Sequence, residues 1–247
     1  MIPKIIHYCW FGRNPLPESA VKCINSWMKY FPDYEIKEWN EDNFDVNIIP
    51  YTREAYEAKK YAFVSDYARM WILYRYGGIY FDTDVEVIKP MDDIVARGPF
   101  MGIEVEVKGE NFSFVNPGLG LGTPPGLDIY RDILDYYHQS HFLLDDGTFN
   151  MFAIVKITTA ALCSHGLSSS NELQQVAGVW IYPRDYFNPL DDNTGKLVIT
   201  DNTRSIHWYT KTWLKKQNPL RTWIVRRIHR YFGNDSLAFL KRLFRHL

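Results

Sequence analysis

Two carboxylates separated by one residue, Asp82 and Asp84, close an apolar run, Ile79-Tyr80-Phe81, whose β-branched and aromatic residues predict a strand. In extended backbone, positions i and i+2 face the same side, so both carboxylates are expected to address one ligand. Mg2+ and Mn2+ take hard oxygen donors, commonly one or two carboxylates completed by substrate phosphates. The carboxyl end of a strand in an open α/β sheet is also where ligands bind. Taken alone, an Asp-x-Asp pair serves equally well as a solvated turn. Upstream, Ser65-Asp66-Tyr67-Ala68-Arg69 sits in an otherwise apolar stretch of helical period. Asp66 and Arg69 are three residues apart and can pair on one helix face. They either pin that helix or reach the cleft of Asp82, where a guanidinium can hold an anionic ligand and a carboxylate can accept from hydroxyls.

Several elements are needed to position these groups. Ile2 to Trp10 reads as a buried strand that stops at Phe11-Gly12. Ala20, Ile24, Trp27, Met28 and Phe31 recur at helical spacing up to Pro32, and Tyr34 to Trp39 alternates like a second strand. One long helix is predicted from about Thr52 to Tyr76, ended by Gly77-Gly78. Strand, helix, strand, helix, strand in the first 90 residues predicts an α/β fold with a largely parallel sheet. Further on, the pattern predicts a strand at Phe100–Val105, a glycine-spaced loop at Asn116–Gly122, and helices near Leu127–Tyr137 and Phe149–Leu162. Strands are then expected at Val176–Tyr182 and Leu197–Thr200. Asp145-Asp146-Gly147 reads as a turn. Trp10 closes an apolar strand and suits either the core or a stacking surface, and His207, between Ile206 and Trp208, suits a satisfied buried histidine.

The 247 residues predict one large domain, or one domain with a small appendage, and 46% hydrophobic content supports an ordinary core. Aromatics make up 16%, as bulky core or as stacking surfaces for sugars and bases. Cys9, Cys23 and Cys163 are odd in number and lack metal or disulfide spacing, which fits a reducing, cytoplasmic setting. Neither a signal peptide nor a spanning segment of about 18 apolar residues is found. Net charge is −1, yet residues 211–247 hold ten Lys/Arg against one acid, Asp235. Projected as a helix, Leu237, Phe239, Leu240, Leu243, Phe244 and Leu247 fall opposite Lys241, Arg242 and Arg245. Such a basic amphipathic tail, cut from the body near residue 214, suits an anionic membrane surface rather than nucleic acid. The other use of the same pattern is docking on the acidic body or on another subunit.

Three motifs in order, Ile5-Ile6-His7-Tyr8-Cys9-Trp10-Phe11-Gly12, Ser65-Asp66-Tyr67-Ala68-Arg69 and Tyr76-Gly77-Gly78-Ile79-Tyr80-Phe81-Asp82-Thr83-Asp84, together resemble the DXD-containing sugar transferases of glycosyltransferase family 32. These include bacterial capsule-synthesis enzymes and the fungal initiating mannosyltransferase; the clostridial glucosylating toxins are more distantly similar. Ser205-Ile206-His207-Trp208-Tyr209-Thr210-Lys211-Thr212-Trp213 is similar to the family's closing motif, with Thr212 in place of the usual Ser. The resemblance implies a GT-A (Rossmann-like) fold over residues 1–213, with residues 214–247 as a C-terminal helical appendage. It also implies Mn2+ or Mg2+, a nucleotide-sugar donor, with uridine favoured, and a saccharide or lipid-linked oligosaccharide acceptor; the basic tail, by its own pattern, would place the chain peripherally at the inner face of the cytoplasmic membrane.

Residue by residue, the resemblance makes Trp10 the base-stacking aromatic and Asp66, Arg69 and Tyr80 donor contacts. It makes Asp82 a contact to ribose and metal, Asp84 and His207 metal ligands, and Thr212 and Trp213 neighbours of the diphosphate. Retention of anomeric configuration is implied, and the transition state is oxocarbenium-like while charge builds on the leaving diphosphate. Two other classes fit part of the pattern. Asp82-Thr83-Asp84-Val85 also matches the nucleophile motif of haloacid-dehalogenase-type phosphatases, with Asp82 attacking and Asp84 as general acid. A non-catalytic carbohydrate-binding protein accounts for the aromatics but leaves the carboxylate pair unexplained.

Overall fold

The computed structural model describes residues 1–106, 113–210 and 225–230. The first half contains β1 (Ile5–Cys9), α1 (Glu18–Tyr30), β2 (Glu35–Trp39), α2 (Pro50–Glu57), α3 (Tyr61–Tyr76), β3 (Gly78–Tyr80), β4 (Val85–Val87), α4 (Asp92–Arg97) and β5 (Phe100–Glu106). Then follow β6 (Ser113–Val115), β7 (Leu121–Thr123), α5 (Asp128–His138), α6 (Ile154–Ser164), β8 (Gln174–Val176) and β9 (Val179–Tyr182). The last are α7 (Arg184–Phe187), β10 (Leu190–Asp191), β11 (Lys196–Leu197) and β12 (Ser205–His207).

The principal sheet runs β2-β1-β3-β7-β5-β9-β8, with β6 added on β5. β1 pairs in parallel with both β2 and β3, matching Ile6 with Ile36 and Ile79, as the βαβ pattern of the sequence predicts. Beyond β3 the sheet is mixed, since β7 is antiparallel to both of its neighbours. Strand alternation divides the core between the two faces. Ile6, Tyr8, Ile79, Phe81 and Phe100 join α1 through Trp27 and Ile24. Cys9, Tyr80 and Met101 join the helices α2, α3, α5 and α6 on the other side. α3 is buried around most of its circumference, which is why its sequence carries apolar residues on several faces. The polar Asp66 and Arg69 are buried with it.

The predicted long helix is in fact two. Ala58 caps α2, Lys59 takes a left-handed conformation at φ 58°, and the Lys60 and Lys59 amides bond back to Ala55 and Tyr56. That is a Schellman end built without glycine, so the usual signal was missing. Replacing Lys59 with Gly removes a Cβ penalty at positive φ and is expected to raise stability by up to about 1 kcal/mol; an unchanged or lower urea midpoint contradicts this. Three smaller differences arise from turns. α6 begins at Ile154, five residues after the predicted start, because the preceding chain makes a hairpin. The predicted Val176–Tyr182 strand is the second arm of a β8–β9 hairpin, turned at Ala177-Gly178 with φ of 48° and 78°. The strand expected at Leu197–Thr200 is limited to Lys196–Leu197, paired with β10.

Thr212, Trp213 and most of the predicted tail lie outside the described residues. Residues 225–230 are helical, and their arginines are engaged within the chain. Arg226 pairs with Asp192 at 3.0 Å, and Arg230 donates to the Thr194 carbonyl at 3.2 Å. This stretch of the tail therefore docks on the β10–β11 hairpin. Among the described residues no helix is long and apolar enough to cross a membrane.

Candidate active site

The carboxylate pair lies on a turn, not in extended backbone. The Val85 amide donates to the Asp82 carbonyl at 3.0 Å, closing Asp82 to Val85 between β3 and β4. The predicted i, i+2 alternation therefore does not explain why the two side chains converge; the partners of each one do. Continuing the alternation of β3, Asp82 falls on the side of Tyr80 and α3. It accepts from the Tyr80 hydroxyl at 3.1 Å and from both ends of the Arg69 fork, at 3.1 and 3.4 Å. Arg69 also binds Asp66 at 2.9 Å and lies 4.9 Å from the Tyr80 ring centroid. The pairing expected between Asp66 and Arg69 is present, and Arg69 also reaches Asp82.

Asp84 is held from the opposite direction. β12 runs antiparallel to β4 and sets His207 against Val85. The imidazole Nε2 lies 3.0 Å from Asp84 Oδ1, while the Thr210 amide and hydroxyl donate to Asp84 Oδ2 at 2.8 and 3.1 Å. His207 packs against Tyr209, with ring centroids 4.2 Å apart and the planes inclined at 56°. Tyr209 holds a positive φ of 51°, and its hydroxyl joins Glu104 and Asn188. A residue held in that conformation is one the surroundings constrain, so Tyr209 acts as a bracket behind the imidazole.

Burial works against every charge here, and the partners decide the outcome. Burial would raise Asp84, but His207 and the two Thr210 donors outweigh it and hold the carboxyl at about 2. Burial likewise opposes protonation of His207, and Asp84 reverses that and raises its pKa. Asp66 is pushed up to about 6, chiefly by burial and further by the neighbouring Asp82, against the pull of Arg69. Asp82 is raised by burial and by Asp84, against the pull of Arg69. Three carboxylates thus face one guanidinium and one imidazole, which leaves negative charge in excess even with His207 protonated.

A divalent cation fits this group. Donor atoms of Asp82, Asp84 and His207 lie within 4.8 Å of one another. Two carboxylates and an imidazole form a donor set that would suit Mg2+ or Mn2+. His207 Nδ1 is buried with no hydrogen-bond partner among the described residues, which leaves the Nε2 edge to face Asp84. Gly118 closes the floor of the site. Its carbonyl accepts from the Asp82 amide at 3.2 Å, its amide is held by Asn116 Oδ1 at 2.6 Å, and a Cβ added there would overlap Asp82 Oδ2. The sequence marks this loop as glycine-spaced, but Gly118 and Asn116 as site residues, with Thr210 and Tyr209, escape sequence reasoning.

Trp10 lies half-buried just past β1, at the same carboxyl end of the parallel strands as Asp82. Its Nε1 donates to the Asn14 carbonyl at 2.6 Å, and its ring lines a cavity of about 440 Å³ with Arg13, Pro15, Glu38 and Glu41. His7, inside the same first motif, is structural. Its Nδ1 accepts from Trp39 Nε1 at 3.0 Å, so Nε2 carries the proton and donates to Gly77 O at 3.0 Å. Burial lowers its pKa from 6.5 to about 4. The folded value lies below the unfolded one, so this contribution to stability is complete above pH 6.5 and is lost as pH falls toward 4. His7 ring resonances are expected to keep the neutral Nε2–H pattern down to about pH 4; a titration midpoint near 6.5 contradicts the assignment.

The comparisons with known proteins agree with this geometry. Residues 17–101 match the family described as "Glycosyltransferase sugar-binding region containing DXD motif". Inositol phosphoceramide mannosyltransferase 3 of Schizosaccharomyces pombe is 36% identical over 151 residues, covering 57% of this chain and 40% of the relative. An uncharacterized glycosyltransferase of Acanthamoeba polyphaga mimivirus is 26% identical over 200 residues, 76% of each chain. The crystal structure of a glycosyltransferase involved in the glycosylation of the major capsid of PBCV-1 superposes with a TM-score of 0.50 at 12% identity, over 84% of this chain and 95% of that one. Residues 17–101 are thus similar to a DXD sugar-binding region, the α/β fold is similar to that of a solved glycosyltransferase, and the chain spans less than half of the curated mannosyltransferases that it matches.

Proposed function

We propose that this chain is a metal-dependent glycosyltransferase that moves a sugar from a nucleoside-diphosphate donor to a saccharide or lipid-linked acceptor. The observation that carries the reading is the convergence of Asp82, Asp84 and His207 beside the Asp66–Arg69 pair at the carboxyl end of the parallel strands. A bound Mn2+ or Mg2+ would neutralise charge on the departing diphosphate without a proton transfer. Asp82, Asp84 and His207 would hold it. Arg69, kept charged by two carboxylates, orients Asp82 and supplies a planar donor toward the sugar nucleotide, while Asp66 accepts from sugar hydroxyls. Tyr80 fixes Asp82 through its hydroxyl, and Trp10 offers a face for the base in the cavity that it lines. Thr210 anchors the chain on Asp84 two residues before Thr212, which favours Thr212 and Trp213 as diphosphate neighbours. Among the described residues we name none as nucleophile, so departure and attack on one face, with retention, is the route we favour.

The Schizosaccharomyces pombe relative is a mannosyltransferase, which puts mannosyl transfer beside uridine-linked sugars as a donor class to test. Incubation with UDP- and GDP-sugars in Mn2+ should release nucleoside diphosphate slowly, and EDTA should abolish that release. Phosphate liberated from sugar phosphates would mark a phosphatase instead, and saccharide binding with neither product would mark a binding protein.

A further inference from the structure

The segment between α5 and α6 concentrates apolar surface that the reading above does not use. Leu143, Leu144, Phe149, Met151 and Phe152 are 41–51% exposed within ten residues. A surface of this kind, gathered in one place rather than scattered, marks a contact site. It is also built rather than loose. Leu143 and Phe149 pair as an antiparallel bridge, and the Asn150 amide donates to the Phe142 carbonyl at 2.7 Å. The Phe149 ring stacks on the fully buried Phe142 at 5.2 Å. At the base, Glu54 on α2 accepts the Phe142 and Leu143 amides at 2.9 and 3.0 Å and meets His141 at 2.8 Å. At the tip, Asp146 accepts from both the amide and the hydroxyl of Thr148.

This hairpin leads into the site. Directly after Phe152 and Ala153, α6 begins; the Phe152 ring lies 6.3 Å from that of Tyr136 on α5, and the Ile154 N–H helps to lower the pKa of Asp66, which in turn holds Arg69. A ligand at Asp66 and Arg69 therefore has Met151 and Phe152 within a few residues of chain. Charge selects the occupant. Asp145 and Asp146 stand exposed at the tip, where an anionic bilayer would repel them. An apolar group attached to a sugar makes no such demand and lies naturally along the aliphatic and aromatic flank.

We propose that residues 142–152 form a preformed lip that binds the apolar aglycone of the acceptor, so that the preferred acceptor is an alkyl-bearing glycoside rather than a free sugar. The proposal rests on the glycosyltransferase reading and deepens it. The test uses the full-length protein with Mn2+ and UDP or GDP, and glucosides, galactosides and mannosides whose octyl chain ends in a diazirine. Irradiation should place label on residues 142–152. Unlabelled octyl glycosides should compete at roughly tenfold lower concentration than methyl glycosides, the effect of burying about two methylenes. In Leu144→Ser and Phe152→Ser that difference should collapse, with circular dichroism reporting the fold. Label elsewhere, no label, or equal competition by methyl glycosides overturns the lip, as does co-sedimentation with anionic vesicles that depends on Leu144 and Phe152. Donor hydrolysis by the same preparation separates the two ideas: hydrolysis without label on the lip rejects the lip alone, whereas absence of hydrolysis rejects the transferase.

Discussion

Asp84→Ala should reduce donor hydrolysis and transfer by about 10²- to 10³-fold or more, the scale seen when one preorganised electrostatic partner is removed from a reaction centre. Both carboxylate oxygens are in use, one toward His207 and one accepting two bonds from Thr210. The variant thus loses a cation ligand and also frees the segment that carries His207. Loss of the Thr210 bonds should cost about 1–3 kcal/mol of stability, because these are hydrogen bonds to a charged group. Calorimetric titration with Mn2+ separates the effects. Affinity for the ion should fall sharply while circular dichroism stays native. Near-normal turnover in this variant, or wild-type activity indifferent to EDTA, would sink the metal assignment.

Arg69→Ala should be the most damaging single change to the fold among the site residues. Arg69 is 4% exposed and is the one guanidinium shared by Asp66 and Asp82. Removing one partner of a buried charge cluster costs about 3–5 kcal/mol, because the remaining charges stay buried without compensation. The pH dependence gives a signature that lost packing would not. Asp66 is already raised to about 6, above its unfolded value of 3.8, and removing Arg69 takes away the group that holds it down. A carboxyl whose folded pKa is raised binds its proton more readily in the folded state, so the variant should regain stability as pH falls from 8 toward 5. Urea midpoints at the two pH values test this. A deficit independent of pH would assign Arg69 a packing role. Arg69→Met with Asp66→Asn should recover part of the loss at pH 8, and Arg69→Lys should recover less activity than stability, since an ammonium cannot reproduce the fork.

Much of the site was legible because its parts lie on regular elements. Alternation of apolar residues placed β1 and β3, the glycine pair ended α3, and i, i+3 spacing put Asp66 beside Arg69. The errors fall where the backbone leaves regular geometry through side chains that do not advertise it. Lys59 takes a left-handed conformation at a helix end, Tyr209 does so behind His207, and Asp82 to Val85 closes as a turn where extension was expected.

By itself, the sequence determined the α/β class, the strand-end carboxylates and the helix that bears Asp66 and Arg69, because periodicity and local spacing are properties of a few neighbouring residues. The tertiary structure alone decided which groups meet. β12 returns more than a hundred residues later to pair with β4, and only that register brings His207 and Thr210 onto Asp84. Gly118 approaches Asp82 so closely that a side chain is excluded, a constraint set by the β6–β7 loop meeting the β3–β4 turn and invisible in either one. The lip beside Asp66 likewise depends on Glu54 gripping a hairpin some ninety residues away. Long-range pairing is fixed by the global packing of the sheet, and no local pattern encodes it.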